Sequence, residues 1–202
     1  MRNTTECKNR HSQMHNHRGN RRRGPSSFHM HDCEMIFSEI GLKEGDFFLD
    51  MGCGSGDYSI EASKIVGDLG GVYALDIQEE AVEAFKEEAY FRGLKNIKAM
   101  VSDATQPLPV QDNCVDICFI ATVLHTIDRQ NTKILFDEIY RVLKPGGRLA
   151  IIECKKDSRS FGPPINLRWS PEEIDDSLNP IGFEKMNIMD LGHTYMIQFK
   201  VV

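Results

Sequence analysis

The sequence predicts an α/β fold: a mostly parallel sheet of seven strands, helices on both faces, and a C-terminal antiparallel hairpin. Three observations carry that prediction. Apolar runs of strand length alternate with amphipathic helical stretches from residue 47 to residue 154, the pattern of a parallel sheet. The first strand runs directly into a glycine-rich turn, LDMGCGSGDYSI at residues 49 to 60. Two final strands, at 183 to 190 and 194 to 202, follow one another across a short Leu-Gly-His turn, which leaves them no geometry but an antiparallel pair.

Taken in order, residues 1 to 27 are polar, rich in Arg, Asn and His, and nearly free of aliphatic side chains. They bury too little surface to offset chain entropy. The expected division is a disordered basic arm over 1 to 27 and one folded domain over 28 to 202. Five of the seven histidines, His11, His15, His17, His29 and His31, lie near this end with Cys7 and Cys33, but their spacing matches no closed zinc site, so no metal ligands are assigned. Asp32 is placed to cap a helix over 33 to 41, with Met35, Ile36 and Ile40 as its apolar stripe and Gly41 as its stop.

The first strand spans 47 to 51 and the helix after it 57 to 66, which brings Ile60, Ile65 and Val66 onto the sheet. A second strand over 72 to 77 and a helix over 79 to 92 follow, the helix carrying Val82, Phe85 and Ala89 at helical spacing. The third strand, 97 to 103, is joined by a loop containing Pro107 and Pro109 to the fourth, 115 to 122. A helix over 130 to 143 buries Leu135, Ile139 and Val142 and ends at Lys144-Pro145-Gly146-Gly147, before the fifth strand at 148 to 154. Ser170-Pro171-Glu172-Glu173 is a capping box with proline at the first helical position, opening a helix to 178.

At 202 residues the chain suits one domain with a core of its own. Its net charge of −6 is unevenly spread. Residues 1 to 33 hold seven basic and two acidic side chains, so the remainder is strongly acidic. No apolar run approaches the ~20 residues of a membrane span and no signal-type segment opens the chain. Six cysteines without a C-x-x-C pair fit a reducing compartment, and a soluble cytoplasmic protein is expected.

The glycine turn has a definite chemistry. Gly52, Gly54 and Gly56 permit a sharp turn that lets a ligand touch main-chain atoms, and the following helix aims free N–H groups at the same place. A dinucleotide fingerprint, G-x-G-x-x-G, would need glycine at position 57, which is Asp57. The spacing here is G-x-G-x-G. Asp50, Asp76 and Asp103 fall at the carboxyl ends of the first three strands, the edge at which open α/β sheets bind ligands.

With Asp50 before it, the turn resembles motif I of the class I S-adenosylmethionine (SAM) dependent methyltransferases. YRVLKPGGRLAIIE, residues 140 to 153, is similar to the fifth-strand segment of the methyltransferases of ubiquinone and menaquinone biosynthesis. The resemblance covers residues 35 to 200. It implies a Rossmann-like class I methyltransferase fold, SAM as cofactor, S-adenosyl-L-homocysteine as product and a small-molecule methyl acceptor. It assigns Asp50, Gly52 and Gly54 to the methionine end, with Gly56 also in the cofactor-binding turn and Tyr58 near the methionine carboxylate. Asp76 goes to the ribose, Ile77 to one adenine face, and Asp103 with Ala104 to the adenine edge.

In the Ala121-Thr122-Val123-Leu124-His125 segment after the fourth strand, Thr122 is expected among the cofactor-binding residues and His125 stands where acceptor meets cofactor. His125 is the candidate catalytic base or acceptor anchor. The same segment lacks the Asn/Asp-Pro-Pro-aromatic and Pro-Cys motifs of nucleic-acid methylating enzymes, which disfavours nucleic acid. Gly162-Pro163-Pro164, with Arg168 and Trp169, is expected to wall the pocket. A second reading is a binding module of the same fold, whose His/Cys arm takes a metal or a partner with little or no methyl transfer.

Overall fold

The structure, a computed structural model, describes residues 27–157 and 162–202. The expected arm lies outside them except for Ser27, which is buried and opens a one-turn 3-10 helix, Ser27–Met30. Any metal or partner binding by the arm therefore falls outside the described residues as well.

Seven strands form one sheet: β1 Phe47–Met51, β2 Gly71–Asp76, β3 Ile97–Val101, β4 Val115–Ala121, β5 Leu143–Cys154, β6 Phe183–Asp190 and β7 Thr194–Val201. Their order across the sheet is β3-β2-β1-β4-β5-β7-β6. β1 pairs in parallel with β2 and β4, and β7 lies antiparallel between β5 and β6, so β7 alone runs against the other six. The order reverses at β1, between β2 and β4. That reversal opens the crevice in which sheets of this kind bind ligands.

Strand residues alternate between the two faces, and the core follows. Leu49, Cys118, Leu149, Ile151 and Ile197 face α4, Thr132–Val142, and α5, Pro171–Leu178. Phe48, Ile117, Phe119, Ile152 and Met196 face α1, Cys33–Glu39, and α2, Asp57–Val66. Val82, Phe85 and Ala89 of α3, Glu79–Phe91, pack on Ala74 and Ala99.

Local signals behave as their chemistry dictates. The Asp32 carboxylate accepts the Met35 N–H at the start of α1, and Ser170 and Glu173 form both bonds of the capping box. The apolar stripe of α1 differs from expectation. Met35 is exposed, and Phe37 takes its place beside Ile36 and Ile40 because the buried face meets the aromatic cluster of Phe48, Tyr58 and Phe119.

The Lys144–Gly147 turn also differs, being absorbed into β5. Leu143 pairs with Val115 and Arg148 with Ile117, so the intervening residues bulge from the ladder, with Lys144 anchored on Asp116 at 2.7 Å. No helix joins β3 to β4. There Leu108 and Val110 plug the core, and the Arg141 guanidinium and Glu138 carboxylate satisfy the backbone groups of that loop.

Candidate active site

The carboxyl ends of β1, β2, β4 and β5 surround a cavity of about 1080 Å³. Of the residues singled out by sequence, Asp50, Gly52, Gly54, Tyr58, Asp76, Ile77, Asp103, Ala104, Thr122 and His125 all line it. Gly56 does not. A Cβ on Gly56 would lie 2.2 Å from the Phe85 ring, so the absent side chain lets the turn seat on α3. Gly54 is the opposite case, with φ +53 and no protein atom within 4 Å of a built Cβ. At Gly52 a built Cβ would strike Val123 at 2.4 Å, so the absent side chain lets the turn after β4 close onto the glycine turn.

The three acids stand in different surroundings. Asp76 ends β2, and its two oxygens accept the Gly54 N–H at 2.8 Å and the Gln78 N–H at 2.9 Å. Asp103 lies two residues beyond β3, which ends earlier than expected. Its Oδ1 accepts the backbone N–H and the hydroxyl of Thr105, and those bonds hold its pKa below the usual carboxylate value. Asp50 is nearly inaccessible and is held by Ser59, whose hydroxyl donates to it at 2.6 Å. Burial, with the Asp76 and Asp57 carboxylates adding to it against the Ser59 bond, pushes its pKa up to about 7.

A methyltransferase-domain family model matches residues 42–192. The structure superposes on a SAM dependent methyltransferase from Aquifex aeolicus with a TM-score of 0.80 and 36% identity, covering 89% of this chain and 94% of that one. The chain belongs to the class I SAM-dependent methyltransferases.

Two curated members are similar over part of their length. The demethylmenaquinone methyltransferase of Lactobacillus johnsonii is 35% identical over 135 residues, which is 66% of this chain and 53% of that protein. The enzyme of the same name from Staphylococcus aureus strain JH9 is 33% identical over 132 residues, 64% of this chain and 53% of that protein. The matched stretch thus spans about half the length of these relatives.

The residues fit the methyltransferase cofactor. Gly54 offers a bare backbone to the cavity, and the carboxylates of Asp76 and Asp103 stand around it as acceptors for a ligand rich in N–H and O–H donors. Ile77 is 63% exposed at the rim, an apolar surface open to a flat ring.

The remaining wall was only partly legible. Thr122 takes φ +56, rare for a threonine, and its hydroxyl donates to the Ala121 carbonyl at 2.7 Å. That turn swings His125 to the cavity. Tyr58, which lines the cavity, places its hydroxyl 2.9 Å from His31 Nδ1, and its ring packs against Phe28 and Phe119.

His31 Nε2 meets Thr194 Oγ1 at 2.8 Å, tying the segment before α1 to β7. Ser27 and Met30 of that segment line the cavity, as do Cys154, Gly162 and Pro163, the last two as expected. Arg168 and Trp169 are buried beside the cavity wall instead of lining it: the Arg168 guanidinium donates to the Pro163 carbonyl and the Trp169 ring lies under Arg129.

The residue that sequence reading missed is Glu153. It occupies the inward row of β5 after Leu149 and Ile151, is fully buried, and bonds the Leu124 N–H and the His125 ring. Its signal was available: a carboxylate at an aliphatic position of a strand end.

Proposed function

We propose that the protein transfers a methyl group from SAM to a small aromatic acceptor in the cavity at the carboxyl edge of the sheet. The observation that carries this reading is the convergence of the Gly54 backbone, the Asp76 and Asp103 carboxylates and His125 on one cavity. The bound cofactor supplies an electrophilic methyl on a sulfonium and leaves as S-adenosylhomocysteine. The protein's part is to align and to keep water out. Positioning of that kind is worth ~7–11 kcal/mol.

In this reading Asp76 accepts from the ribose hydroxyls, Asp103 and Ala104 border the adenine edge, Ile77 covers one adenine face, and Asp50, Gly52 and Gly54 hold the methionine end. Thr122 shapes the turn that brings His125 to the acceptor. The names of the curated relatives favour a quinone-like acceptor, and the free thiols of Cys33, Cys53, Cys114, Cys118 and Cys154 suit a reducing, cytoplasmic setting. Among the described residues no helix is long and apolar enough to cross a membrane.

The test is calorimetry followed by transfer of labelled methyl. SAM and S-adenosylhomocysteine should bind and NAD should not, and label should appear on 1,4-naphthohydroquinone. NAD binding with no SAM binding would overturn the reading.

A further inference from the structure

Outside the cofactor-facing acids, the cavity carries one arrangement that the family assignment does not use. Glu153 is wholly buried at the end of β5. Its Oε1 accepts the Leu124 N–H at 2.8 Å, which fixes the carboxylate against the turn after β4, and its Oε2 stands 3.3 Å from His125 Nδ1. A carboxylate has only lone pairs to offer, so Nδ1 carries the ring proton. Nε2 is then the basic nitrogen, and it makes no hydrogen bond to any described residue while the ring lines the cavity.

We propose that Glu153 is a positioning residue that holds His125 as the Nδ1–H tautomer, making Nε2 a general base, and that the acceptor is therefore a phenol or enol that must shed a hydroxyl proton to become nucleophilic. This deepens the proposed function and rests on it. A buried carboxylate is costly unless it is paired, and among the described residues this one is hydrogen-bonded by the two groups that set the turn and the ring. A purely structural cap for Leu124 would need one acceptor; the second oxygen is committed to the histidine.

The balance of the step is simple. The acceptor O–H bond breaks and its proton passes to Nε2. The new bond joins the methyl carbon to the acceptor oxygen or to its conjugated ring carbon, while the electron pair of the S–CH3 bond stays on sulfur. At a ring carbon the displaced hydrogen leaves as a proton and the hydroxyl regains one. Either way one methyl is gained, and one net proton reaches solvent by way of His125.

The first test needs neither cofactor nor acceptor. In ¹⁵N-histidine-labelled full-length protein above neutral pH, the His125 ring should show a protonated Nδ1 and an unprotonated Nε2, and Glu153→Gln should shift that balance. A ring protonated at Nε2, or a balance that Glu153→Gln leaves unchanged, overturns the proposal even where no probe is turned over.

The second test uses 1,4-naphthohydroquinone and its dimethyl ether, which lacks the hydroxyl proton. Methylation of the hydroquinone alone is expected, with the ether accepted equally as the overturning result. Glu153→Gln should lower kcat ~10–100-fold, a share of the 10²–10⁴ that a general base supplies, with KM and SAM affinity little changed. Glu153→Asp should recover part of the loss, and His125→Gln should lower kcat at least as far as Glu153→Gln does. Unchanged SAM affinity in these variants separates a failed base from a failed methyltransferase reading, which would instead appear as no SAM binding by the wild-type protein.

Discussion

Asp76 closes the glycine turn from the neighbouring strand: its Oδ2 accepts the Gly54 N–H at 2.8 Å across the end of β1. The same carboxylate caps Gln78 at the head of α3. It is thus a spacer for the turn as well as the acceptor expected to face the ribose. Asp76→Ala should weaken SAM binding at least tenfold, since charge-assisted bonds are worth ~1.5–3 kcal/mol each. Calorimetry measures the affinity, and a cooperative thermal transition checks that the fold persists. An unchanged dissociation constant would refute the ribose role.

Two glycines of one motif should fail in different ways. Gly56→Ala meets the Phe85 ring at 2.2 Å with φ at +81, so overpacking should cost ~1–3 kcal/mol and left-handed strain a further ~1–2 kcal/mol. Gly54→Ala meets no protein atom and should carry the strain alone, ~1–2 kcal/mol, yet place a methyl where the cofactor approaches. Denaturant unfolding should rank Gly56→Ala as the less stable. SAM affinity, measured on the folded fraction, should rank Gly54→Ala as the weaker binder.

Asp50 gives the protein a stability that depends on pH. Its carboxyl titrates near 7 when folded and near the ordinary 3.8 when unfolded, so the folded state holds a proton that the unfolded state has released. Stability from this group is intact below about pH 4 and is lost as pH rises toward 7. At ~1.4 kcal/mol per pKa unit the loss approaches about 4 kcal/mol. Asp50→Asn removes the titration and keeps an acceptor for Ser59. The gap between variant and wild type should widen in the variant's favour from pH 5 to pH 8 in denaturant unfolding; a constant gap would refute it.

His31 fastens the segment before α1. Its two ring nitrogens meet Tyr58 and Thr194, and hydrogen bonds of this kind contribute ~0.5–1.5 kcal/mol each. His31→Ala should therefore speed proteolytic cleavage around Phe28–Met30 with little change in the sheet. Burial lowers the pKa of His31, so its contribution is full above pH 6.5 and is lost as pH falls below that value. Cleavage should accelerate in the wild-type protein over that same window, and a rate independent of both variant and pH would sink the idea.

The sequence by itself determined the strand and helix alternation, the terminal hairpin, the caps at Asp32 and Ser170, and the strand-end acids. These are local: a period of two or 3.6, a side-chain oxygen within three residues of a free N–H, a glycine where φ is positive. Tertiary structure decided what lies between elements.

Gly56 and Gly54 read alike in a motif, and only the position of α3 makes one a packing contact and the other a cavity wall. Met35 and Phe37 are both apolar, and only the aromatic cluster across α1 selects Phe37. The Asp50 carboxyl is pushed up to about 7 because the sheet buries it and the Asp76 carboxylate of the neighbouring strand faces it, which no neighbour in sequence reveals. Glu153 and His125 stand 28 residues apart and meet because β4 and β5 are adjacent in parallel register, an outcome of sheet order. Long-range pairing of this kind is written in the packing of the whole sheet, and single-residue patterns carry no record of it.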